Sequence, residues 1–371
     1  MILSLPSRSR NTDTDSKEIA GTSLNPKLSG VQATSVVQIT RVITFAVYMM
    51  RLPSIETIWS VSDRNFNAIA LKIFQYQAKN NIVYAEYLQL IDKHPERIEH
   101  FTQIPFLPIS LFKTHKIITG TFKSERTFES SSTTGTGISH HYVKHLADYH
   151  TNALHIMTES LGNISQYEIV GLLPNYLERN NSSLVEMVTY FMHLNGQKDS
   201  FYLYNHTDLY NRITASSKPI LLFGVSFALL DFAADYTIDT PITIIETGGM
   251  KGRKKEMTKD EVYAELRASF PSATIRSEYG MTELLSQAYS DEHMKYTTPP
   301  WMKVLPREDT DPLTHKYTGR SAALNIIDLA NLHTCSFIAT DDIGSIYEDG
   351  TFEVKGRLDQ ADIRGCSLMV V

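Results

Sequence analysis

The chain has 371 residues, 42% hydrophobic and 20% charged, enough apolar content for a sizeable core and too much for a disordered, collagenous or coiled-coil protein. Thirty-five Lys+Arg against 41 Asp+Glu leave a net charge of −6, which excludes the dominant basic surface of a general nucleic-acid binder. Two cysteines, Cys335 and Cys366, exclude a disulfide framework and predict a reducing, cytoplasmic setting.

The first 30 residues are rich in Ser, Thr, Asn and Lys and show no apolar periodicity. The apolar run from Val42 to Met50 has nine residues, far short of the ~20 that cross a bilayer, so no membrane span is expected. We read residues 1–50 as a disordered or non-native extension. The folded domain is expected over 51–371, as a helical lobe to about 125 and an α/β core from about 126 onward.

From Ile55 to Leu90 the apolar residues Phe66, Ala70, Ile73 and Phe74, then Val83, Tyr87 and Leu88, recur at helical spacing. Pro105 and Pro108 break the next stretch, Phe101 to Phe112, into an irregular strap. Strands are predicted over 168–173, 219–225, 242–246, 274–278, 324–329, 336–340 and 351–354, and helices over 140–161, 182–193, 227–236 and 259–270. Alternation of this kind means a mixed sheet covered by helices.

Four motifs carry chemistry. Ser130 to Gly137, read with a helix starting near Ser139, offers hydroxyls, free N–H groups and a helix N-terminus to a polyphosphate, although such runs also serve as linkers. Ser277-Glu278-Tyr279-Gly280-Met281-Thr282-Glu283, expected between a strand and a helix, combines a ring, a turn glycine, a hydroxyl and a carboxylate. Thr340 to Gly344, at a strand end, and Lys355 to Asp362 read equally well as polar turns when taken alone.

In this order the four motifs resemble the adenylate-forming superfamily. A fuller likeness runs from about Leu52 to the end. Leu173 to Arg179, Glu246 to Arg253, Tyr279 to Gln287, Asp328 to Asn331 and Arg364 to Leu368 are similar to the acyl-protein synthetase (LuxE-like) family, the synthetase subunit of bacterial fatty-acid reductase complexes. The resemblance implies the large N-terminal domain of an acyl-CoA synthetase-like α/β fold, with the usual C-terminal lobe absent or vestigial, since the chain runs only 14 residues past Arg357.

What the resemblance implies for the site is as follows. Ser131, Ser132, Thr133, Thr134 and Gly135 hold the β- and γ-phosphates of ATP; Gly248 and Gly249 line the adenine and acyl pocket. Tyr279 stacks on adenine beside Gly280, Thr282 touches the α-phosphate and Glu283 binds Mg²⁺. Asp342 holds the ribose, with Arg357 next to it. Two departures stand out: Ser132 replaces a glycine, and no lysine closes the hydroxyl loop, because Ile138 and Ser139 follow. Lys251, Arg253 or a partner subunit is expected to supply the charge of the absent lobe's lysine. Cys366 is the acyl acceptor, favoured as a thiolate by Arg364, and Cys335 is a buried structural residue.

The function implied is activation of a carboxylic acid, a long-chain fatty acid by family, to acyl-AMP and transfer to a protein thiol, with a reductase subunit or carrier protein as partner. An acyl-CoA ligase and a non-catalytic subunit of a reductase complex are alternatives. So is a serine acyltransferase or thioesterase, because Gly224-Val225-Ser226 sits between an apolar run and a helix as a nucleophile elbow does. His140, His141 and His145 are expected on a helix surface, without zinc-site spacing.

Overall fold

The structure is a computed structural model that describes residues 51–130, 137–174, 181–248, 257–309, 311, 313–314 and 321–358. The expectation for residues 1–50 therefore lies outside the described residues. The described residues open with helices α1 (Ile55–Trp59), α2 (Phe66–Asn80) and α3 (Ile82–Leu90). Ala70, Ile73, Phe74 and Gln77 form the buried stripe of α2, and Gln77 donates through Nε2 to the carbonyls of Asn331 and Leu332 at 3.1 and 3.2 Å. The proline strap holds β1 (Leu107–Pro108), which pairs parallel with a much later strand, and the short helix α4 (Leu111–Thr114).

Next comes a correction to the sequence reading. Residues 140–161 are not one helix: β2 (Arg126–Glu129) and β3 (His140–Val143) form an antiparallel pair, and α5 begins only at Leu146, running to Leu161. In β3 alternate residues are buried, with His141 and Val143 inward, a period of two that suits a strand. The described residues on either side of the Ser/Thr/Gly loop are strands, so the chain enters β3 after it and not a helix.

The core sheet follows. Strands β4 (Glu168–Leu172), β6 (Ile220–Gly224), β7 (Ile242–Glu246) and β8 (Thr274–Tyr279) are parallel neighbours, with β5 (Phe201–Tyr202) beyond β4. β4 and β6 are buried along their whole length, as strands covered on both faces must be. Helices α6 (Ser183–Leu194), α7 (His206–Ala215), α8 (Ser226–Asp235) and α9 (Lys259–Ser269) supply that cover. Their starts follow capping chemistry: Ser182 Oγ accepts from the Val185 N–H, and Thr258 with Glu261 makes a reciprocal capping box.

After β8 the sheet turns antiparallel through β9 (Ala288–Ser290), β10 (Tyr296–Thr297), β11 (Met302–Arg307), β12 (Ala322–Asp328), β13 (Phe337–Ile346) and β14 (Phe352–Arg357), in the spatial order β8-β9-β10-β14-β13-β12-β11. Residues 280–287 are a turn between two strands, not the start of a helix. Thr340 to Gly344 lies inside β13, not at a strand end. Tyr279 therefore stands where the parallel half of the sheet ends, the kind of crevice in which open α/β sheets bind ligands.

Candidate active site

Three separate stretches of chain meet at the end of β8. The Asp342 carboxylate, 4% exposed, accepts from the Tyr279 hydroxyl at 2.8 Å on one oxygen and from Arg357 Nε at 2.9 Å on the other. The antiparallel register of β13 and β14, which sets Asp342 opposite Arg357, makes the second bond. Tyr279 is itself buried, its ring edge-on to Tyr296 at 5.8 Å and to Phe352 at 5.2 Å. Its burial, and after that the neighbouring Asp342 carboxylate, push its pKa up, so the phenol stays protonated and donates.

Beyond Tyr279 the chain passes the exposed Gly280 and turns through Thr282 and Glu283. His141 Nδ1 lies 2.7 Å from the Thr282 carbonyl, and Asn331 Nδ2 donates to the Glu283 carbonyl at 2.8 Å. Burial lowers the His141 pKa to about 4, so the ring is neutral and carries one proton; the shorter contact places it on Nδ1, an assignment from the network. Asp328 accepts from the N–H groups of Leu285 and Ser286 at 2.8 and 2.9 Å, and Asn152 on α5 donates to the Leu285 carbonyl at 3.0 Å. The turn is clamped on three sides.

Glu283 is 5% exposed. Burial raises its pKa, opposed by the Ser139 hydroxyl, Arg357 and Lys113. Ser139 Oγ lies close enough to favour the charged carboxylate, yet it makes no hydrogen bond of ordinary geometry and is an unpaired buried atom. Thr282 is half-buried.

A second polar network lies behind the first, at the ends of β6, β7 and β8. The buried Glu246 accepts from Ser226 Oγ, from Ser277 Oγ at 2.7 Å and from the Gly248 N–H at 2.7 Å, with Lys259 Nζ 3.5 Å away. Burial favours the neutral acid here, but Lys259 and these donors outweigh it and hold the pKa below the ordinary value. Gly248 has φ +73, a conformation that favours glycine. The network removes the serine-nucleophile reading: Ser226 Oγ is buried and spent on Glu246, and among the described residues no histidine bonds to it.

The expected residues thus separate. Gly248, Tyr279, Gly280, Thr282, Glu283, Asp342 and Arg357 line one end of the sheet. Ser131, Ser132, Thr133, Thr134, Gly135, Gly249, Lys251, Arg253 and Cys366 lie outside the described residues. Cys335 is fully buried, with its thiol pushed up to about 12 by burial, so it is no nucleophile at neutral pH. His140 and His141 stand on a strand and not on a helix surface. Sequence reasoning missed His141, Asn152 and Ser139; the string Asp328 to Asn331 was noticed, but without a role. The available signal was an Asp ending a mostly apolar run, Ala322 to Asp328, broken only by Asn325.

With this geometry in view, the comparisons are decisive at the family level. Residues 52–371 match the family described as Acyl-protein synthetase, LuxE. The chain belongs to that family. Similar LuxE-type relatives are the long-chain-fatty-acid–luciferin-component ligase of Vibrio harveyi, 24% identical over 350 residues, and that of Aliivibrio fischeri, 25% identical over 346. Each alignment covers 84% of this chain and 89% of the relative. Among solved structures, the LuxE-family fold is similar to O-succinylbenzoate coenzyme A synthetase from Bacillus subtilis in complex with AMP, with TM-score 0.47 and 13% identity over 64% of each chain. It is also similar to a long-chain-fatty-acid–CoA ligase from Archaeoglobus fulgidus, with TM-score 0.48 and 17% identity over 66% of this chain and 53% of that one. The chain thus spans half to two thirds of the length of these structures.

Proposed function

We propose that this LuxE-family protein uses ATP to activate a long-chain fatty acid as acyl-AMP and then passes the acyl group to a protein thiol. The observation that carries this reading is the convergence of Tyr279, Asp342 and Arg357 with the Thr282–Glu283 turn at the end of β8. Family membership and the activity for which the two bacterial ligases are named support the acid and the ligase chemistry.

In this reading Asp342, already fixed by Tyr279 and Arg357, takes the ribose hydroxyls, and Tyr279 and Gly248 border the base. The Thr282 hydroxyl donates to the α-phosphate, while His141, Asn331 and Asp328 keep the turn rigid, so that its groups need no reorganisation as charge builds. Glu283 with the phosphate oxygens fits Mg²⁺, which is held through one or two carboxylates and substrate phosphates; the unpaired Ser139 hydroxyl beside it fits a hydrated ion. Among the described residues no group of three or more His, Cys, Asp or Glu forms a metal cage, so the ion would arrive with the nucleotide. When bound, it neutralises phosphate charge. Cys366 is the proposed acceptor, and a reductase subunit or a carrier protein is the partner that takes the acyl group onward. Among the described residues no helix is long and apolar enough to cross a membrane.

The test is carboxylate-dependent ATP–pyrophosphate exchange, followed by labelling with a fatty acid. Wild-type protein should exchange and acquire a hydroxylamine-sensitive label. Cys366→Ser should lose the label and keep exchange. A label that survives in Cys366→Ser moves the acceptor elsewhere, and exchange with no protein label but abundant acyl-CoA makes the protein a CoA ligase.

A further inference from the structure

We propose that Arg307 is a positioning residue for the nucleotide: its guanidinium closes a bulge in β13 and so fixes the direction in which Asp342 offers its carboxylate to the ribose hydroxyls, an assignment that rests on the adenylating reading above. The β12–β13 ladder breaks beside the site. Ala323 pairs with Ile343 and Asn325 with Ala339, so the single residue Leu324 faces the three residues Thr340, Asp341 and Asp342. Extra residues on one strand bend it and re-aim its side chains, and such bulges gather next to active sites. They also leave backbone groups without ladder partners, which must be satisfied in another way.

Arg307 meets that need from the far side of β12. It stands at the end of β11, opposite Ala323, and residues paired across a ladder share a face of the sheet. The small Ala323 leaves room for the arginine to cross β12, where Nη2 donates to the Thr340 carbonyl and Nη1 to the Glu308 carbonyl at 3.3 Å. On the other edge of β13 the Ala339 carbonyl accepts from the Ile109 N–H at 2.9 Å and the Asp341 carbonyl from the Leu358 N–H at 2.7 Å. Thr340 completes the lock: its hydroxyl donates to the Leu324 carbonyl at 2.8 Å and accepts from the Asp342 N–H at 3.2 Å. Arg307 thus reaches the Asp342 backbone through one residue, Thr340.

Ion pairing does not explain an arginine at this position. Arg307 is 5% exposed and makes no ion pair among the described residues. Burial disfavours its charge, and Asp341 and Asp309 offset part of that cost from beyond ion-pair distance. A buried charge generally stabilises less than an apolar side chain of the same volume, so a guanidinium committed to backbone carbonyls marks a stretch of chain whose path matters. That stretch ends at Asp342, whose two oxygens are aligned by Tyr279 and Arg357. Those two residues orient the carboxylate; Arg307 holds the backbone that carries it.

Hydrogen bonds weaken steeply with misalignment, so a carboxylate that takes ribose hydroxyls is sensitive to small rotations of its own backbone. Loss of the Arg307 bond frees the Thr340 carbonyl, lets the bulge relax toward β12 and swings Asp342. The groups assigned to the base and the phosphates stand elsewhere, on β8 and the turn after it, with the Tyr279 ring held by Tyr296 and Phe352. The expected signature is therefore weaker binding of a nucleotide that has ribose hydroxyls and unchanged binding of one that lacks them.

Calorimetric titration of the full chain with ATP and with 2′,3′-dideoxy-ATP, both with Mg²⁺, reads that signature. Wild-type protein should bind ATP the more tightly of the two. Arg307→Met should weaken ATP by about tenfold and 2′,3′-dideoxy-ATP by no more than about twofold, since only ATP can use an aimed carboxylate. Arg307→Lys keeps the charge and one donor but not the fork, so it should fall about threefold short of wild type on ATP and not at all on 2′,3′-dideoxy-ATP. Unchanged ATP affinity in Arg307→Met, or in Arg307→Lys where only that variant folds, overturns the proposal, as does equal weakening of both nucleotides; either result leaves the adenylating reading standing. Wild-type protein that binds the two nucleotides equally takes Asp342 off the ribose and Arg307 with it, and wild-type protein that binds neither removes the adenylating reading as well.

Discussion

Glu283 is a carboxyl that folding has placed where its charge is costly, with cations nearby that repay part of the cost. Replacing it with Gln keeps its shape and removes only the charge. Glu283→Gln is expected to fold with wild-type stability or better and to lose at least about tenfold in pyrophosphate exchange, the equivalent of about 1.4 kcal/mol at the transition state. Exchange at the wild-type rate would take Glu283 out of the reaction. Glu278, one residue before Tyr279, offers a pH test of the same neighbourhood. Burial and the like charge of Glu246, opposed by Lys259, raise its pKa from 4.5 to about 7. The folded state therefore holds its proton more tightly than the unfolded chain. Its stabilising contribution is complete below pH 4.5 and is lost as the pH rises through 7. Urea melts at several pH values should show Glu278→Gln gaining on wild type across that window and holding a constant difference above it. Parallel stability curves for the two proteins would refute the shift.

At the scale of the elements, the site depends on how closely β13 and β14 approach. Their register shifts between Ile343 and Gly344, and a Cβ on Gly344 would collide with the backbone carbonyl of Glu353. A carbonyl in a ladder cannot swing aside as a flexible side chain can. Gly344→Ala should destabilise the protein by about 1–3 kcal/mol or more, the usual cost of overpacking. It should also slow exchange, because the strand that must move carries Arg357 away from Asp342. A denaturation midpoint and exchange rate both equal to wild type would show that the bulge is not needed. The C-terminal ends of the parallel strands are held differently, by the Glu246 network that ties β6, β7 and β8 together through side chains.

For the whole molecule, the family match begins at Leu52, and the described core runs from Ile55 to Phe352. We propose that a protein starting at Met50 melts within about 2 °C of the full chain and exchanges at the same rate. A large fall in melting temperature would place the apolar run before Met50 in the core. The amino-acid sequence alone determined the parallel half of the sheet, because β4, β6 and β7 are short, mainly apolar runs flanked by amphipathic helices, and these patterns are local. It also determined the residues of the Tyr279 and Asp342 motifs, which are contiguous strings. The tertiary structure decided the rest. His141 looked like part of a helix because the histidines and apolar residues after Ser139 also fit a period of 3.6; only pairing with β2 makes β3 a strand and turns His141 inward to Thr282. Likewise Asp342 took its two partners from 63 residues before it and 15 after it, and Asn152 came to the turn after Tyr279 from a helix the motifs never mentioned. Such meetings depend on strand register and on packing between distant segments, which no local pattern encodes.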